Sequence, residues 1–143
     1  MNPALWTRPR WQLALLLAAL STLGPFAIDT YLPAFTGIAA SIGASPIGMQ
    51  QTLSAYLFGF AFMMLFHGAL SDSLGRKPVI LGGLLVFTLA SAGCAVSNTL
   101  GAMLIFRALQ GMSAGAGMIV GRAIVRDLYA DADAQRMMSL TTV

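Results

Sequence analysis

The sequence predicts an all-α membrane protein, on three observations. Hydrophobic residues make up 57% of the 143-residue chain and charged residues only 9%, where soluble domains carry about 25% charged residues. The apolar residues gather into four runs of at least ~20 residues, long enough to cross ~30 Å of hydrocarbon as helices. The lysines and arginines, finally, fall almost entirely at one end of those runs. Periodicity adds little, because the runs are apolar on every side. The few polar residues and the glycines therefore carry the rest of the reading.

The first span runs from about residue 11 to 30. Arg8 and Arg10 followed by Trp11–Leu20 resemble the start of a secretory signal. Apolar character continues through Ile28, however, and no small-x-small cleavage site follows, which favours a retained helix. The second span covers about 46–70, and Ser45-Pro46 supplies an N-cap followed by proline at the first helical position. Gly75 suits a turn with positive φ, and Pro78 opens a third span over about 78–97. Asn98-Thr99 leaves room only for a tight hairpin into the fourth span, about 100–125. Past Asp127 the chain is polar, then turns apolar at Met137-Met-Ser-Leu140, as a fifth helix starting near residue 137 would. The chain reads as the N-terminal piece of a longer protein.

Of the 8 lysines and arginines, all except Arg107 lie before span one, between spans two and three, or at and after the end of span four. The positive-inside rule then places the N-terminus, the 71–77 turn and the 126–136 loop in the cytoplasm. The same bias argues against a small exporter assembled as a dual-topology dimer, which needs weak asymmetry. A net charge of +3 with scattered basic residues gives no nucleic-acid footprint. Cys94, the single cysteine, cannot form an internal disulfide and reads as a small buried hydrophobe. The sequence carries no catalytic constellation, and neither a metal site nor a nucleotide site.

Two charged residues lie inside the membrane. Arg107 sits ~10 Å below the outer surface at 1.5 Å per residue. An arginine in hydrocarbon costs at least ~2.5–3.5 kcal/mol, so it must face protein or water, or snorkel outward. Asp29, ~27 Å from the inner surface, is its expected partner, and the pair is the candidate proton-coupling site. Ser21, Pro25 and Asp29 form a weakly polar stripe at i, i+4 and i+8. A static interfacial aspartate is the bland alternative. Gln110, three residues after Arg107, can support the same polar face. Gly111 and Gly115, and Gly117 and Gly121, make two small-xxx-small faces for helix packing. Tyr56, Phe60 and Met63 of span two, with Gln110, are candidates for lining a substrate cavity, although core packing explains the first three equally well.

The turn Gly68-Ala-Leu-Ser-Asp72-Ser-Leu-Gly75-Arg76-Lys77 sets topology, but its acids ask for more. Asp72 and Asp127 both stand at helix C-termini, where the dipole disfavours negative charge. Arg76 could reach both, and Asp72 could alternatively face the N-terminus of another helix. His67, one turn earlier, reads as an interfacial histidine without a role in transport.

These residues resemble a known family. Gly68-x-x-x-Asp72-x-x-Gly75-Arg76-Lys77-x-x-x-Leu81 is similar to the signature loop between helices 2 and 3 of major facilitator superfamily transporters. Leu104-x-x-Arg107-x-x-Gln110-Gly111 resembles the helix 4 motif of its proton-coupled drug antiporters, and Asp29-Thr-Tyr-Leu-Pro33 the Bcr/CflA-type drug-resistance branch. Ser73 stands where the family is often basic, a minor departure. The resemblance implies a twelve-helix fold, of which helices 1–4 and the start of helix 5 are here and helices 5–12 would be partners. It implies that Gly68, Asp72, Gly75, Arg76, Lys77 and Asp127 form a conformational latch, with Asp72 toward helix 11 and Arg76 on Asp127. It further implies proton coupling at Arg107 and no cofactor, a proton gradient being the energy source.

The expected function is a multi-pass transporter of the bacterial inner membrane, not an enzyme. Its partners would be the lipid bilayer, protons and a small drug-like molecule, exported by alternating access. A nutrient symporter of the same superfamily and a truncated, non-transporting remnant are the alternatives.

Overall fold

A computed structural model describes residues 9–128 and 135–139. It contains four helices long and apolar enough to cross a membrane: α1 (Arg10–Ile42), α2 (Pro46–Leu74), α3 (Arg76–Ala95) and α4 (Leu100–Leu128). Residues 135–139 are also helical, overlapping the expected start of a fifth helix; the polar stretch 129–134 before them and Arg8 lie outside the described residues.

α1 corrects the sequence reading most. Expected to end near residue 30, it continues to Ile42, 33 residues in all and ~50 Å long. That exceeds the ~30 Å of hydrocarbon, so the helix must tilt or protrude. Pro25 and Pro33 lie within it. Each lacks an N–H for the carbonyl four residues back, Ser21 and Asp29 respectively, yet neither ends the helix. Gly43 does. It adopts φ 65°, ψ 30°, and Ala44 N–H donates to the Ala39 carbonyl at 2.9 Å, a Schellman stop that needs a left-handed residue.

Ser45 caps α2 as expected, its Oγ accepting from Gly48 N–H at 3.1 Å. The expected 71–77 turn is much shorter than its polarity suggested. α2 carries on through Leu74, α3 begins at Arg76, and Gly75 alone is non-helical, at φ 95°, ψ 157°. Pro78 therefore sits in the first turn of α3 rather than opening it. Charged residues there mark the edge of the apolar zone, not the end of the helix. At the other end of α3, Thr99 starts α4 by accepting from Ala102 N–H on its side chain and from Met103 N–H on its carbonyl.

α4 is the central element. It packs against α1, α2 and α3, most extensively against α2, while among the described residues the backbones of α1 and α3 do not approach each other closely. Of its most apolar 18-residue stretch 56% is buried, against 17–28% in the other helices. Composition explains this, because Gly111, Ala114, Gly115, Ala116 and Gly117 are all small and buried and let three backbones approach. Large apolar side chains on the other helices, such as Phe58, Phe62 and Leu65, point outward and are exposed, as lipid-facing residues are. A core of Leu13, Leu17, Leu20, Val125, Leu128 and Met137 closes the α1–α4 contact at the basic end.

The four glycines predicted to pack do so unequally. A Cβ at Gly111 would stand 2.0 Å from the Tyr56 carbonyl oxygen, and one at Gly117 would stand 2.8 Å from that of Leu20. At Gly121 it would come 3.3 Å from Leu17, and at Gly115 it would make ordinary contacts. The facing glycines on α2 and α3 were not anticipated: Gly59 against the Ala108 carbonyl, Gly83 against Ala116 and Gly93 against the Phe106 ring.

Candidate functional site

Arg107 is buried, with 2% of its surface exposed, inside the apolar body of α4. Its Nη1 donates to Gln110 Oε1 at 2.8 Å and makes a long, 3.5 Å contact with the Ala27 carbonyl of α1. Its Nε and Nη2 have no hydrogen-bond acceptor. The guanidinium carbon lies 3.4 Å above the centroid of the Tyr31 ring and 5.3 Å from that of Tyr56. Gln110 is held in turn, its Nε2 donating to Ser91 Oγ on α3 at 2.8 Å, while Ser91 donates to the Phe87 carbonyl. On the other side, the Tyr31 hydroxyl bonds Thr52 Oγ1 on α2. Side chains from α1, α2 and α4 thus surround one cation, and α3 joins through Ser91 and Gln110.

Asp29 is not among them. It is exposed, and the ion pairs among the described residues involve Arg76, not Arg107. The expected Asp29–Arg107 pair is therefore corrected, for a geometric reason. Ala27 and Tyr31 are the α1 residues that meet Arg107, and at 100° per residue Asp29 lies ~200° from each. Matched depth put the two charges level but on opposite sides of α1.

The cavity candidates also separate. A cleft of about 400 Å³ opens between α1, α3 and α4, with Arg107, Gln110, Tyr31, Phe87 and Ser91 in its wall. Of the four candidates, Gln110 alone lines it. Tyr56 is a core residue, 1% exposed, donating its hydroxyl to the Gly24 carbonyl at 2.9 Å. Phe60 stacks on it with centroids 6.5 Å apart. Met63 lines a second, apolar cleft between α2 and α3 together with His67. His67 is not interfacial but buried at 3% exposure, beside Gly115.

At the basic end, Arg76 gathers both acids. Its Nη1 lies 2.6 Å from Asp72 Oδ1 and its Nε 3.0 Å from Asp127 Oδ2. Nη1 also donates to Ser71 Oγ, a buried hydroxyl whose own proton goes to the Gly68 carbonyl at 2.9 Å. Asp72 remains 62% exposed in this pairing, with room for a further partner. Lys77 is exposed, and a Cβ at Gly68 would meet nothing within 4 Å. Gly75 is required by its φ of 95°, a region closed to side chains.

Sequence reasoning missed Tyr31, Thr52, Ser91 and Ser71. Hydroxyls and rings in apolar helices look like packing, and nothing local marks which of them meets a charge. For Tyr31 one signal existed: it lies within the Asp29-Thr-Tyr-Leu-Pro33 stretch that carries the family resemblance.

The Major Facilitator Superfamily model matches residues 7–143. The chain is 38% identical over 90% of its length to a bicyclomycin resistance protein homolog of Haemophilus influenzae, covering 32% of that protein. It is 42% identical over 81% of its length to multidrug resistance protein MdtL of Shewanella oneidensis, covering 29%. To multidrug resistance protein D of Escherichia coli K12 it is 35% identical over 82%, covering 30%. The chain spans about a third of the length of these relatives.

Proposed function

The chain belongs to the major facilitator superfamily, and from that premise we propose that it acts in proton-coupled efflux of small amphipathic drugs, within a transporter of the Bcr/CflA type. The bicyclomycin and multidrug resistance named for its relatives support export as the direction. Its helices would work with the further helices that make up the remaining length of such relatives. The segregated lysines and arginines support a reading in which the N-terminus and the Arg76 end face the cytoplasm, the membrane being a bacterial inner membrane.

One observation carries the mechanism: a guanidinium buried at 2% exposure in an apolar helix, with no carboxylate within ion-pair distance among the described residues. Such a group is too costly to be filler. Asp29, exposed on the far side of α1, is the acid free to exchange a proton with water or with a neighbouring helix. Arg107 reads the position of α1 through Ala27 and Tyr31. Substrate release and protonation are then linked by movement of α1 against α4, while Arg76 with Asp72 and Asp127 latches the basic end.

Proton-driven accumulation of ethidium inside inverted membrane vesicles with an acidified lumen, where export from the cell appears as entry into the lumen in exchange for protons, tests this in the protein as encoded. Asp29→Asn and Arg107→Ala are each expected to lower it at least about tenfold, the scale on which intramembrane charges act. Unchanged efflux in both variants would sink the assignment. Loss of preloaded ethidium from the acidified lumen together with protons would instead identify a symporter.

A further inference from the structure

We infer that Tyr31 is the positioning residue for Arg107, its ring standing where a counter-ion would otherwise be needed. A buried cation demands compensation, and no carboxylate of the described residues supplies it. Nη1 is the only guanidinium nitrogen with an acceptor, because Nε and Nη2 find none. What the guanidinium does meet is a π face, 3.4 Å from the Tyr31 centroid. A cation over a ring gains most when both are out of water, and here Arg107 is 2% and Tyr31 8% exposed.

The ring is itself fixed on two sides. Phe35 packs edge-on against it, with centroids 5.6 Å apart and planes at 81°. Its hydroxyl meets Thr52 Oγ1, and Thr52 already gives its proton to the Met49 carbonyl at 2.6 Å. The phenol must therefore be the donor in that bond. A donating phenol leaves electron density on its ring, which favours a cation on the ring face. Tyr31 thus ties α2 to α1 and presents α1 to α4. The inference rests on reading Arg107 as the coupling residue: Tyr31 shares the cleft wall with Arg107 and acts through the arginine.

The test separates ring, hydroxyl and packing, using the protein as encoded, in membrane vesicles for transport and purified in detergent for the thermal midpoint. Tyr31→Phe keeps the ring and should hold ethidium efflux within about twofold of the parent. Tyr31→Leu should lower it about tenfold, the scale of a desolvated cation–π contact. A double-mutant cycle against Arg107→Gln is read in the thermal midpoint, since that background already lowers efflux. Tyr31→Leu should depress the midpoint distinctly more when Arg107 is present than when glutamine replaces it, because only the hydroxyl bond to Thr52 and the contact with Phe35 are lost in the second background. Equal depression in both backgrounds assigns Tyr31 to packing and overturns the inference. So does a Tyr31→Phe variant as damaged as Tyr31→Leu. If the parent protein shows no proton-driven efflux, the proposed function fails, while the midpoint cycle still decides the role of Tyr31.

Discussion

Gly111→Val is expected to remove folded protein from the membrane, and Gly111→Ala to deplete it severely. Any Cβ at this position would lie 2.0 Å from the Tyr56 carbonyl oxygen, 2.8 Å from its carbon and 3.0 Å from its Cα. All three are backbone atoms, so no rotamer change relieves the clash. α2 and α4 must separate instead, along the most extensive contact in the fold. Overpacking of this kind costs ~1–3 kcal/mol where side chains can adjust, and here they cannot. The movement would also pull Tyr56 from the Gly24 carbonyl, loosening α1. Gly101→Ala on the same helix is the control, because a Cβ there meets nothing within 4 Å. Membrane protein levels and the thermal midpoint in detergent are the measurements. A Gly111→Ala protein as abundant and as stable as the Gly101→Ala control contradicts the packing described.

Arg76→Lys is expected to cost most of the transport activity while leaving the amount of protein in the membrane near normal. The guanidinium reaches Asp127 with Nε and reaches Asp72 and Ser71 with Nη1. A lysine ammonium is a single point and cannot span that fork. The loss should be about tenfold, since charge-assisted hydrogen bonds of this kind are among the stronger ones. Stability should change little, because Asp72 and Asp127 are 62% and 43% exposed and solvated ion pairs contribute at most ~1 kcal/mol. Asp127→Asn should do comparable damage, since Asp127 is the group that joins α4 to the α2–α3 junction. Ethidium accumulation in inverted vesicles, normalised to protein level, decides it. Parent-level transport by Arg76→Lys removes the latch from the mechanism.

The two sites differed in how legible they were. Arg76 and Asp127 could be paired from the sequence because both stand at helix ends on one side of the membrane, where few alternatives exist. Asp29 and Arg107 were paired by depth alone, and depth says nothing about which way a side chain points round its helix. The helix limits failed for a related reason. Hydropathy measures where the chain leaves hydrocarbon, so the polar 71–74 segment reads as turn, and the first span closes near Thr30 at the length that crosses a bilayer although residues 31–42 stay largely apolar. Backbone hydrogen bonding carries both on as helix. Where a stop has its own local chemistry, as at Ser45 and Gly75, the reading and the structure agree.

By itself the sequence determined an all-helical membrane chain, its four crossings, the single end at which its basic residues gather, and the motifs of its family. Those features follow from the contrast between water and hydrocarbon, which composition records directly. Which face of each helix is interior was decided only by tertiary structure. Lipid is as apolar as a protein core, so hydrophobicity cannot distinguish them. Close approach of small residues does, and it made α4 the centre, closed Tyr31 and Tyr56 around Arg107, and turned Asp29 away.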